Sequence, residues 1–152
     1  MSLSDLELAR RLLAAALLGA VLGFEREMRQ KSAGLRTNIL ISVGSALFTL
    51  MSIELANPTS ADPGRIAAQI VTGIGFLGAG AIIRTGGGVH GLTTAATIWV
   101  NAAVGVAAGG GELRLAAIAT GITLMALLLL GPVEGLITRH FARRRSPSSN
   151  GD

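Results

Sequence analysis

The sequence predicts an all-α polytopic membrane protein: five transmembrane helices in one bundle, N terminus outside, C terminus cytoplasmic. Three observations lead there. Half of the 152 residues are apolar and only 14% are charged, against about 25% in an average soluble domain. The mean hydropathy is +0.58. The apolar residues fall in runs close to the length that crosses a bilayer, and nearly all basic residues stand at the ends of those runs. That placement also answers the pI near 11.3: the charge sits where membrane proteins put it, not in a patch for nucleic acid. Cysteine is absent, which excludes disulfides and thiolate metal sites.

The spans follow in order, with boundaries at about 6–24, 37–56, 65–83, 92–108 and 113–131. Ser4-Asp-Leu-Glu7 reads as a capping box before the first apolar run. Leu12 to Phe24 alone is too short for a core of roughly 30 Å. The first span therefore takes in Leu6 to Arg11, with Arg10 and Arg11 snorkelling or paired. Glu25-Arg26-Glu27 follows this run without a small-residue cleavage site, so it is not a secretory signal. Residues 25–36 form a polar loop with a turn at Gly34.

The second span has one charge, Glu54, near its end. Asn57-Pro58 and Asp62-Pro63-Gly64 mark a turn-rich loop. Asp62 suits an N-cap and Pro63 a first helical position, ahead of the third span from Arg65. Residues 84–91 read as a flexible glycine-rich link and 109–112 as a turn. Pro132 kinks or ends the fifth helix. The transmembrane domain is expected over 1–138, with a basic, disordered tail over 139–152.

Five spans put the termini on opposite sides. Arg26, Arg29, Lys31, Arg36, Arg84, Arg139, Arg143, Arg144 and Arg145 fall on one side, against Arg10, Arg11, Arg65 and Arg114 on the other. The positive-inside bias places the richer side in the cytoplasm.

The third span carries Gly73, Gly75, Gly78 and Gly80. Gly73-Ile-Gly75-Phe-Leu-Gly78 spells G-x-G-x-x-G, but no strand precedes it and the next acid after Asp62 is Glu112. A dinucleotide site needs both features. Two readings remain: the glycines remove bulk where another helix crosses, or they weaken the helix and free carbonyls along a path. Close packing is the favoured one. The triple glycines at 86–88 and 109–111 lack a following Lys-Ser or Lys-Thr, so they are turns, not phosphate loops.

Gln69 and Asn101 lie inside spans and suit hydrogen bonds between helices. No carboxylate occupies the middle of a span, so a Mg²⁺ cage within one subunit is not expected. His90 and His140 have no acidic partner nearby and make a poor metal pair. Thr93, Thr94 and Thr97 suit hydroxyl bonds to the preceding turn. No nucleophile, base and acid set is visible, so neither an enzyme nor a cofactor is expected. Charges gather at the two faces: Glu25, Arg26, Glu27 and Arg36 on one, Glu54, Asp62 and Arg65 on the other. They serve as anchors, as a docking surface, or as an outer cation sensor.

Four ordered motifs carry a resemblance: residues 17–27 (LLGAVLGFERE), 33–37 (AGLRT), 62–80 (DPGRIAAQIVTGIGFLGAG) and 91–99 (GLTTAATIW). Together they resemble the MgtC/SapB family of bacterial inner-membrane proteins, over about residues 9–130. The resemblance implies about five spans in the bacterial inner membrane, a link to magnesium limitation, and virulence in some relatives. It also implies regulation through other membrane proteins, including the F-type ATP synthase and a Mg²⁺ P-type ATPase. The matching motif positions are Glu25, Arg26, Arg36, Thr37, Asp62, Arg65, Gln69, Gly75, Gly78, Arg84, Thr93, Thr94 and Trp99. Many relatives add a soluble ACT-type C-terminal domain. This sequence stops in its basic tail, so nothing carried by that domain transfers to it.

Two functions remain in view. One is a non-enzymatic regulator working by helix–helix contacts. The other is an oligomeric channel or transporter for Mg²⁺, K⁺ or H⁺, with the third helix lining the path. Mg²⁺ enters either as a sensed or transported ion. The bilayer, other inner-membrane proteins and further copies of the chain are the expected partners.

Overall fold

The computed structural model describes residues 3–55, 64–86 and 88–144, with side chains described except at 66, 67 and 132–144. It contains five helices: α1 (Asp5–Met28), α2 (Leu35–Glu54), α3 (Arg65–Gly80), α4 (Leu92–Gly109) and α5 (Leu113–Arg144). Three segments, Leu35–Glu54, Leu92–Gly109 and Leu113–Gly131, are long and apolar enough to cross a membrane. In α3 the apolar stretch is shorter, Ala68–Gly80.

Local chemistry sets the helix ends. Ser4 Oγ accepts from the Glu7 amide at 3.3 Å and starts α1. The Glu7 carboxylate pairs instead with Arg11 Nε at 2.8 Å and Arg10 Nε at 3.2 Å. Arg11 also donates to the Gly109 carbonyl at 2.9 Å, so of the two expected placements, snorkelling or paired, it takes the paired one. At the start of α2, Glu27 Oε2 accepts from the Leu35 amide at 3.0 Å. Asn38 Nδ2 donates to the Ala33 and Gly34 carbonyls.

Neighbouring contacts fix the helix directions. Gly19 lies against Asn38 and Ser42, and Gly23 against Leu35 and Asn38, so α1 and α2 run antiparallel. Asn101, Gly105 and Gly109 meet Asn38, Ser42 and Ala46 in turn, so α4 runs parallel to α2. Gly131 of α5 lies by Arg29 at the end of α1, and Ala116 packs in one core with Ala15. One end of the bundle therefore gathers Arg10, Arg11, Glu54 and Glu112; the other gathers residues 25–36. For Arg10, Arg11, Glu54 and residues 25–36 the division into two faces is the one read from the runs.

Besides α1, which runs on to Met28 and does not end near 24, two boundaries differ from expectation. First, α3 ends at Gly80, not near 83. Ile83–Thr85 (β1) and Gly88–His90 (β2) pair as an antiparallel hairpin, Ile83 opposite His90. The glycine-rich link is thus ordered over its two strands, and the fold is α-helical with one small hairpin. Positive φ marks the entry to β2 at Gly88 (137°), and at Gly91 (88°) it lets the chain leave β2 and enter α4. Secondly, α5 continues through Pro132 to Arg144, into the expected tail. A proline removes one donor, while Leu136, Ala142 and the arginines that follow favour helix.

Two apolar clusters hold the bundle. Ala15, Ala46, Val104, Ala108 and Ala116 form one, and Ile41, Ile74, Ile98 and Ala102 the other. The first is built from alanine because the helices approach too closely for larger side chains. Large apolar residues face outward instead: Leu17 is 68% exposed and Phe76 81%. Such a surface suits hydrocarbon and not water.

Candidate functional site

Three features could carry function: a polar core between α1, α2 and α4, a buried charge cluster at the end of α1, and the open face of α3.

The polar core starts from Asn101. Its Nδ2 donates to the Asn38 backbone oxygen at 2.6 Å and to Asn38 Oδ1 at 3.1 Å. Both side chains are fully buried. Asn38 in turn holds the Ala33 and Gly34 carbonyls, so α4 is tied to the turn between α1 and α2. Ser42, Ser45, Thr49 and Ser52 continue the buried row along α2. Thr49 donates back to Ser45 O at 2.8 Å. Gly19 and Gly23 of α1, with Gly105 and Gly109 of α4, let the neighbouring backbones reach this row. A Cβ on Gly19 would stand 2.8 Å from the Asn38 carbonyl oxygen, and one on Gly109 2.8 Å from Ala46 Cα. No side chain fits at that separation.

The charge cluster is expected at the surface, as anchors or as a docking face, but Glu25 and Arg26 are 6% and 4% exposed. Arg26 Nε lies 2.9 Å from Glu25 Oε2, and Arg29 Nε 2.7 Å from Glu25 Oε1. These are ion pairs by distance, yet none of these buried atoms of Glu25 and Arg26 is aligned for a hydrogen bond. Burial strengthens the attraction between the opposite charges by reducing solvent screening, while desolvation and the missing hydrogen bonds oppose it. The pair faces inward because Ala15, Gly19, Leu22 and Arg26 share one side of α1.

α3 is a continuous helix. Ile74 is its buried apolar anchor, and Gly78 approaches Ala95 at the distance of ordinary contact. Positions 73, 75 and 80 are open, with nothing within 4 Å of an added Cβ. Within the isolated chain, tight helix packing belongs to Gly19, Gly23, Gly105 and Gly109 and not to Gly73, Gly75 and Gly80. The broken-helix reading is corrected: Arg65–Gly80 is one helix. Between α2 and α3 runs a groove of about 640 Å³, lined among others by Thr37, Gly44, Phe48, Gln69 and Gly73.

The remaining positions divide plainly. Thr94 is buried, and buried Thr97 donates to the Thr93 carbonyl at 2.8 Å. Arg36, Thr37, Arg65, Gln69 and Arg84 are exposed. Asn101 bridges helices as expected; Gln69 lies on the groove instead. Trp99, 52% exposed, borders a second groove of about 610 Å³ beside α3. Asp62 lies outside the described residues. Among those described, no three His, Cys, Asp or Glu come together to hold a metal.

Asn38, Ser42 and the packing glycines Gly19, Gly23 and Gly105 were not singled out from sequence, and Gly109 was read only as part of a turn. Gly19-x-x-x-Gly23 and Gly105-x-x-x-Gly109 carried the signal. The denser glycines of α3 drew attention from it.

The model of the MgtC family matches residues 12–136, which include the polar core, the buried charges and all of α3. This chain belongs to the MgtC family. It is 58% identical over 119 residues to the protein MgtC of Salmonella typhimurium strain LT2, covering 78% of this chain and 50% of that protein. To the protein MgtC of Brucella abortus strain 2308 it is 48% identical over 130 residues, 86% and 54% of the two. The chain spans about half the length of the curated relatives it matches. No solved structure matches.

Proposed function

We propose that this MgtC-family chain is a multi-pass protein of the bacterial inner membrane, tied to magnesium homeostasis, that acts without enzymatic chemistry by offering the open face of α3 to other membrane helices. The observation that carries the reading is the contrast among glycines. Those of α1 and α4 are filled by neighbours, while Gly73, Gly75 and Gly80 stand open on an intact helix. In lipid, small residues promote association by letting backbones approach. On this reading all five helices cross the bilayer, with the end bearing residues 25–36 in the cytoplasm. The partners are a second copy of the chain and proteins of the ATP synthase or P-type ATPase kind. No cofactor is required. The link to virulence is part of the same proposal, through the family.

The test is co-purification of Gly75→Leu with those partners after mild crosslinking. Position 75 has room for the new side chain in the isolated chain, so the protein should fold and partner recovery should fall. Unchanged recovery, of copies and partners alike, would overturn the reading.

A second reading has support in the groove beside Gly73 and Gln69. In an oligomer, α3 could line a path for Mg²⁺, K⁺ or H⁺. Ion flux from purified protein in liposomes, reduced by Gly73→Leu, would favour it.

A further inference from the structure

α5 is longer than a crossing needs. Its 32 residues extend about 48 Å. The apolar part, Leu113–Gly131, already supplies about 28 Å, close to the hydrocarbon thickness. The level at which that part ends is visible: a Cβ on Gly131 would stand 3.3 Å from Arg29 Nη1, at the end of α1. Residues 132–144 continue as helix past that level. They carry Arg139, His140, Arg143 and Arg144 against one acid, Glu134. Val133, Leu136, Ile137 and Phe141 recur at the i, i+3, i+4, i+8 spacing of one helix face. Lys31 and Arg36 belong to the same end of the bundle.

We propose that residues 132–144 form an interfacial anchor for the anionic phosphate headgroups of the leaflet from which α5 emerges. The helix concentrates the charge: Arg139 and Arg143 are one turn apart and Arg144 is adjacent. The apolar positions suit the boundary between headgroups and acyl chains. A basic segment beside a span gains roughly fivefold in surface association per arginine on anionic membranes. An acidic protein surface would match the charges but gives no reason for an apolar row beginning at the end of a span. The inference rests on α5 crossing the bilayer.

The test uses the full chain. It has no cysteine, so Ala142→Cys provides a single site for an environment-sensitive fluorophore. The labelled protein is placed in nanodiscs of phosphatidylcholine, with or without a quarter of phosphatidylglycerol. The expected result is a blue-shifted emission with phosphatidylglycerol, reversed by half-molar salt. Replacing Arg139, Arg143 and Arg144 with glutamine should shift the ratio of surface-associated to free label about a hundredfold toward free. Inorganic phosphate in neutral nanodiscs should do nothing; an equal shift there would overturn the headgroup assignment. No lipid-dependent shift, or one equally large in the glutamine variant, would overturn the anchor. An alkaline carbonate wash separates the two failures. A chain that stays in the membrane without a shift loses only the anchor; one that washes out loses the membrane-spanning reading itself.

Discussion

On one side of α2, the glycines of α1 and α4 press against its backbone. On the other, Gly73 of α3 lines a groove, and Gly75 and Gly80 stand open. Both sets replace side chains with space, yet in the first set the space is filled. Gly19 and Gly23 meet Leu35, Asn38 and Ser42; Gly105 and Gly109 meet Ser42, Ser45, Ala46 and Thr49. In the second, Gly73, Gly75 and Gly80 meet nothing within 4 Å. Glycine costs about 1 kcal/mol relative to alanine inside a helix. Where it admits a neighbour, packing and a buried polar bridge offset that cost. Gly44 and Gly121 are open as well, but α3 gathers three such positions within eight residues, and on the proposed function a partner helix supplies the offset there.

Four substitutions break or sharpen this contrast. Gly105→Val should have the largest effect. Its side chain would enter the space held by the Ser42 carbonyl and Ser45 Cβ, and overpacking of that kind costs about 3 kcal/mol or more. Thermal unfolding in mild detergent reads it; an unchanged midpoint would show that α4 does not pack here. Asn101→Leu removes both bonds to Asn38 and should cost about 1–2 kcal/mol, read by the same melt. A loss no larger than that of an exposed control, such as Ile122→Ala, would remove the polar bridge from the account.

Gly75→Ala should act in the opposite direction. With open space around the new methyl group, the isolated chain should gain about 0.5–1 kcal/mol through helix propensity, while association weakens. A destabilised variant would mean that α3 is packed more tightly than described. Ala33→Gly should have the smallest effect. Ala33 holds φ at 59°, a left-handed conformation that costs a residue with a side chain about 1 kcal/mol; part of this is returned by the greater freedom of unfolded glycine. A gain of about 0.5 kcal/mol is expected in the melt, and a loss would show that the packing of Ala33 against the Ile41 cluster outweighs its backbone strain.

Much of the fold could be read from residue order. Ser4 as a cap, a helix over each of five apolar runs, and the sorting of Arg11 and Glu54 from Arg26 and Arg36 all follow from local chemistry and run length. The family, too, was visible in four motifs. What could not be read was which glycine meets which helix. The letters of Gly73 to Gly80 and those of Gly19-x-x-x-Gly23 state the same lack of bulk, and only a neighbour's position distinguishes them. Glu25 and Arg26 show the same limit. Their place at the end of a run suggested solvent, but one-sided spacing with Ala15, Gly19 and Leu22 turned Arg26 inward.

By itself, then, the sequence determined the helices, their alternating ends and the family, because those depend on hydrophobicity, caps and charge along the chain. The tertiary structure decided that the polar row of α2 is buried, that Asn101 bridges to Asn38, that Ile83–Thr85 pairs with Gly88–His90, and that α3 is left open. Each of those depends on distances between residues far apart in the chain, to which local periodicity is blind.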